Sequence, residues 1–228
     1  MDESGAALQA VSVRKELRFQ REAAKKAILS KLSGGASYSE IDAELRAIDH
    51  SKTIAEKLLD AFPGYYGRFI CLHFSRFFNA PVETESQQAA YDTIVSFLDN
   101  VAPFALPQEL QAYLIEHTKH IGTEQITTML ESARTSIENP DDFLSGNKEL
   151  LKQYLSYKQS DAYRRSPAYK IAEFMKECNS TSGYYDVFIP ALKQLSGAYA
   201  QYCRQLELAN EKLLSRDPEI EGLSGPSQ

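Results

Sequence analysis

The sequence predicts an all-α protein, a multi-helix globular bundle preceded by a long amphipathic, dimerising helix. Two observations carry that prediction. Apolar residues recur at helical spacing along most of the chain, and capping residues and prolines punctuate those stretches. A third excludes the alternative, because no stretch alternates β-branched and polar residues between hairpin turns. The 228 residues are 43% apolar and 25% charged, enough for an ordinary core. Eleven glycines and nine prolines are too few for a loop-rich or disordered chain.

The elements follow in order. From Ala6 to Leu32 the residues Ala10, Val13, Leu17, Ala24, Ile28 and Leu32 make a narrow helical stripe. A narrow stripe between charged flanks suits pairing with another helix. Residues 1–35 are therefore expected to form a basic dimerisation or linker helix, ended by Ser33-Gly34-Gly35. Residues 36–216 are expected to form the helical body. Ser37 and Glu40 have capping-box spacing and open a helix through Ile41, Leu45, Ile48, Ile54, Leu58 and Leu59, stopped by Pro63-Gly64. Tyr65 to Phe78 is dense in aromatics and is expected to be buried. Thr84 and Gln87 repeat the capping box, ahead of Tyr91, Ile94, Val95 and Leu98.

Pro103 and Pro107 bracket a connection, with Pro107 in the first turn of the next helix. Thr123 is read as the cap of the helix through Ile126, Met129, Leu130 and Ile137. Asn139-Pro140 and Ser166-Pro167 are read as caps with a first-turn proline. Gly183 opens a last pair of helices, 184–195 and 197–215, and Pro190 bends the first or marks its start. Residues 217–228 read as a flexible tail. Roughly eight to ten helices result.

Charge narrows the function classes. The net charge is −6, yet residues 1–35 carry seven basic and four acidic side chains. Arg14, Lys15, Arg18, Arg21, Lys25, Lys26 and Lys31 are read as a solvated face with intrahelical ion pairs. An acidic body does not suit nucleic acid. No apolar run reaches the ~18 residues of a membrane span, and the acidic start has no hydrophobic leader. Cys71, Cys178 and Cys203 have no metal or redox spacing. A cytoplasmic protein without disulfides, cofactor or metal is expected.

Candidate chemistry is sparse. His117 and His120 could share a metal at i, i+3 but lack further ligands. Cys71 and His73, two residues apart on a helix, do not face each other. There is no nucleophile elbow, phosphate loop or dinucleotide fingerprint. A helix-turn-helix over Ser39–Leu59 lacks its turn, so a continuous helix is expected there. The aromatics are the stronger lead: thirteen tyrosines, eleven phenylalanines and no tryptophan. Tyr65, Tyr66, Phe69 and His73, together with Tyr184, Tyr185 and Phe188, are the candidate lining of a pocket for a lipophilic or aromatic ligand, cations included.

Four strings carry a family resemblance: Lys52 through Phe69, His73-Phe-Ser-Arg-Phe-Phe78, Ala90 through Val101, and Asn179 through Pro190. The chain resembles, over roughly residues 37–215, the C-terminal effector region of MerR-family transcriptional regulators. That resemblance implies a non-enzymatic, ligand-sensing domain over 36–216 and a homodimer through residues 6–32. Family members carry an N-terminal winged helix-turn-helix, and no such recognition segment or wing precedes Ala6. DNA would thus be reached only through a winged domain not present in this chain. The alternative is a helical protein-interaction module acting through the N-terminal helix. An enzyme is the third reading.

Overall fold

A computed structural model describes residues 3–62, 64–78, 81–102 and 105–216. The expected breaks at Pro63 and Pro103 and the expected tail 217–228 lie outside the described residues. Among those residues the fold is all-α, with twelve α-helices and one π-helical turn. They are α1 (Glu3–Ser33), α2 (Tyr38–Ala61), α3 (Gly64–Ser75), α4 (Glu85–Asn100), α5 (Gln108–Thr118) and α6 (Thr123–Glu138). The rest are α7 (Pro140–Gly146), α8 (Lys148–Gln159), α9 (Asp161–Arg164), α10 (Pro167–Thr181), the π turn (Tyr184–Phe188), α11 (Ile189–Leu195) and α12 (Gly197–Arg216). The count exceeds the expected eight to ten because residues 140–164 break into short helices.

The caps explain most boundaries. Ser37 Oγ accepts from the Glu40 amide at 3.3 Å, and the Glu40 carboxylate accepts from the Ser37 amide at 3.0 Å. Thr84 and Gln87 do the same for α4. Ser166 Oγ accepts from the Tyr169 amide at 3.2 Å to start α10. Three expected caps shift. Gly122 is the N-cap of α6 and donates its amide to Gln125 Oε1 at 3.0 Å, so Thr123 is already helical. Pro107 sits at the N-cap of α5 rather than inside its first turn. Asn139 turns its amide back to the Thr135 carbonyl, 3.3 Å away, and makes no cap bond to α7.

Helix α2 is the hub, packed against α1, α3 and α4. It runs without a turn through the segment considered as a helix-turn-helix. Helix α11 packs on α4 and α12, and α12 reaches α6 and α7. Where these meet, Ile54, Leu58, Cys71, Phe74, Ile94, Ile126, Phe188 and Leu192 form the core, each at most 2% exposed. At one corner α3 crosses the end of α2 so closely that a Cβ on Gly67 would fall on the Phe62 carbonyl. Glycine is the one residue that fits there.

Helix α1 belongs to this core. Val13 is fully buried and Leu17 nearly so. Its cations pair across to α2 rather than along α1: Arg14 with Asp60 at 2.8 Å, Lys25 with Asp49 at 3.3 Å and Lys31 with Glu44 at 2.7 Å. Exposed pairs of this kind add little energy, about 0–1 kcal/mol each. As a ladder they fix the antiparallel register of α1 on α2.

Among the described residues the buried polar side chains are Arg68 and Ser196, and Arg68 is the charged one. It is 1% exposed, and Nη1 donates to the Ile121 carbonyl at 3.1 Å. Its Nε and Nη2 have no partner, and burial holds its pKa below the usual value. A buried charge without a counter-ion is costly. Arg68→Met keeps the volume and removes the charge. It is expected to raise stability by about 1 kcal/mol, after the lost Ile121 bond is counted. A lower urea midpoint for the variant would contradict this.

Candidate functional site

The seven residues expected to line a pocket come from two places. Tyr65, Tyr66, Phe69 and His73 lie on α3, and Tyr184, Tyr185 and Phe188 form most of the π turn. Folding brings the two sets together. The Phe188 ring is 5.5 Å from that of Phe74 on α3. Tyr66 lies within electrostatic reach of both Tyr184 and Tyr185, and also bonds Asn179. Gly183 makes the turn possible by adopting φ of +81°, a conformation that other residues rarely take.

The rings pack on one another. Phe188 contacts Phe97 and Tyr184, with centroids at 5.2 and 5.5 Å. The Phe69 and His73 rings lie parallel at 6.4 Å. His73 also meets Phe74, Phe77 and Tyr202 edge-on. Burial pushes the Tyr66 hydroxyl up to about 12 and Tyr184 further up, so both stay protonated. Burial, helped by the neighbouring Arg76 charge, lowers His73 to about 4 and leaves it neutral at pH 7. None of the seven residues lines the cleft described below.

The remaining sequence candidates show ordinary roles. The Cys71 thiol points at the Ala55 carbonyl, 3.6 Å away, and burial raises its pKa to about 12. A thiol held protonated has no thiolate to offer. His117 is exposed, stacked on Tyr113 at 3.9 Å, with Nδ1 2.8 Å from the Tyr113 carbonyl. Among the described residues no three His, Cys, Asp or Glu side chains are grouped to hold a metal. Among them, too, no helix is long and apolar enough to cross a membrane.

A cleft of about 620 Å³ lies instead between α1, α2 and the end of α3. That volume is within the range of small-molecule sites, about 300–1,000 Å³. Leu17, Arg21, Ala24 and Ile28 form the α1 wall, at helical spacing. Glu44, Ile48, Ser51, Lys52 and Ala55 form the α2 wall, and Ser75, Arg76 and Pro81 close one end. The walls are mainly apolar. The polar groups are unevenly placed: Glu44 is bound to Lys31 at 2.7 Å, and Arg21 and Lys52 share Glu56 at the long distances of 3.9 and 4.0 Å.

Arg76 is placed most unusually. Its guanidinium rests 4.7 Å from the Phe77 ring centroid and 5.2 Å from that of Tyr202. Its Nε and Nη1 are closed off from solvent without an acceptor. Sequence reasoning missed Arg76, Arg21 and Lys52. The available signal was a cation inside an apolar stripe (Arg21) and another inside an aromatic run (Arg76).

The chain matches no protein-family model, no curated protein and no solved structure.

Proposed function

We propose that this chain is a non-enzymatic, all-helical effector-binding domain, of the kind its resemblance to MerR-type regulators implies, with its ligand in the α1–α2–α3 cleft. The observation that supports this reading is that α1 forms a whole wall of the cleft. A ligand seated there contacts α1, α2 and α3 at once. It therefore favours whichever placement of α1 contacts it better, which is a population shift. The outer side of α1 presents Val11 and Phe19, 57% and 62% exposed, and also Leu29 and Leu32. A change in the seat of α1 would reach a second copy through those residues. The tyrosine cluster then serves as the packed base on which α3 and the cleft end rest. In this reading DNA is contacted by a winged domain outside this chain.

Ala24→Trp tests the site. Ala24 is exposed and faces the cleft, so an indole there fills the cleft without disturbing the core. Small amphiphiles and lipophilic compounds at 100 times the dissociation constant should stabilise the wild type by about 2.7 kcal/mol. The thermal shift should vanish in Ala24→Trp. Equal shifts in both proteins would place the ligand elsewhere. A flat screen on the wild type would favour the second reading, a protein-interaction module, which the exposed apolar residues of α1 also support. Deleting α1 would not separate the two, because Val13 and Leu17 would leave the core with it.

A further inference from the structure

We infer that the cleft takes an anionic amphiphile, a molecule with a carboxylate head and an apolar tail, and that Arg76 is the residue that selects the charge. This rests on the cleft being the ligand site. Three cations border the cleft, Arg21, Lys52 and Arg76, against one lining carboxylate, Glu44, and against Glu56, which Arg21 and Lys52 share at 3.9 and 4.0 Å. Glu44 is already bound to Lys31. On a chain whose net charge is −6, this is a locally positive hollow.

The ladder between α1 and α2 orients the charges. Arg21 stands opposite Glu56 and Lys31 opposite Glu44, so Lys52 and Arg21 lie toward one end and Glu44 toward the other. Arg76, on the turn after α3, closes the cleft together with Ser75 and Pro81. Ala24, Ile28 and Ile48 supply apolar wall for a tail. Helix α1 lines the cleft from Leu17 to Ile28, a length of about 16 Å at 1.5 Å per residue.

Arg76 carries the argument furthest. Among the described residues no carboxylate lies within ion-pair distance of it, and its planar group is held against two aromatic rings. Its guanidinium also hydrogen-bonds the Tyr202 side chain, while its Nε and Nη1 are screened from water and lack acceptors. A charge kept out of water acts strongly on an anion brought near it, because little solvent screens the field. Arg68 has the same deficit, but it is not among the residues that line this cleft. Arg76 lines it and is joined there by two further cations.

The test is titration calorimetry of the full chain with decanoate, decanol and decyltrimethylammonium, each below its micelle concentration. Decanoate should bind about 10- to 100-fold more tightly than decanol, the value of a charge-assisted contact. The trimethylammonium should bind most weakly. Arg76→Gln should erase the preference for decanoate while decanol affinity stays within about twofold, and Arg76→Lys should restore part of it. Equal binding of decanoate and decanol by the wild type would overturn the anionic head and leave the cleft reading standing. Binding of none of the probes would overturn both. Decanoate binding that persists in Ala24→Trp would show attachment outside the cleft and also overturn the inference. Should Arg76→Gln fail to fold, the Arg21→Gln, Lys52→Gln double variant reads the same preference, which should fall. An unchanged preference there would overturn the positive hollow.

Discussion

Phe188→Ala is expected to cost about 3–5 kcal/mol, a large share of the total stability of a domain. Phe188 is 1% exposed, and its ring meets Phe74, Phe97 and Tyr184 at centroid distances of 5.2–5.5 Å. It stands at the end of the π turn, where α3, α4 and α11 converge. Removing the ring leaves a hole that three separate helices would have to move to close, and such holes close only partly. The measurement is urea unfolding followed by far-ultraviolet circular dichroism. A melting temperature lowered by about 10 °C should accompany it. The same substitution separates two views of the tyrosine cluster. A ligand-lining Phe188 would lose affinity and keep its stability. A variant as stable as the wild type would therefore return the pocket to this cluster.

Much of the fold was legible because its signals are local. The capping boxes at Ser37 and Thr84 each need three or four residues, and both formed as read. The spacing of Ile41, Ile54 and Leu58 set the buried face of α2 in the same way. The short helices between Pro140 and Arg164 were harder to read. Helix α8 has Leu150, Leu151, Tyr154 and Leu155 at helical spacing, yet none of its residues is buried, so its apolar face marks no part of the core. The π turn was invisible for another reason. Pro190 has no amide to give the Asp186 carbonyl, which frees the register just where the Phe188 amide reaches back to Gly183 at 3.2 Å. Proline and glycine at that spacing signal a break, and only tertiary packing decides that the break is one extra residue in the helix.

The cleft was the least legible part. Its walls come from α1 and α2, which Val13 and Leu17 hold together in the core and whose register the ladder of ion pairs fixes. The basic residues of α1 are expected on a solvated face with ion pairs along the helix. Arg14, Lys25 and Lys31 do reach solvent, but they pair across to α2. What sequence showed was an arginine at position 21 within the Leu17–Ile28 stripe. An arginine there breaks an apolar pattern, and such breaks mark either a surface edge or a site. Deciding between them needs the opposite wall.

Acid should loosen the protein well before its carboxylates titrate. His73 is half-buried between the rings of Phe69, Phe74, Phe77 and Tyr202, and Arg76 adds a like charge nearby. Burial first, and Arg76 second, lower its pKa from 6.5 to about 4. Above pH 6.5 the imidazole is neutral in both folded and unfolded chains, and His73 adds no pH dependence. Below that value the unfolded chain takes up a proton that the folded chain refuses. The unfolded state then binds more protons, so stability falls with pH. The fall levels off near pH 4, where the folded imidazole titrates as well. Across that window the loss is about 3 kcal/mol. Glu40 and Glu116 act in the same direction but lower down, because Ser37 and Lys119 hold their carboxyls below the ordinary range. Urea unfolding from neutrality to pH about 4 should show the slope in the wild type. His73→Phe keeps a ring in the cluster without a proton to gain, and it should flatten that slope. A slope of equal size in His73→Phe would assign the acid sensitivity to other groups, and would mean that His73 already carries its proton, or reaches water, in the folded chain.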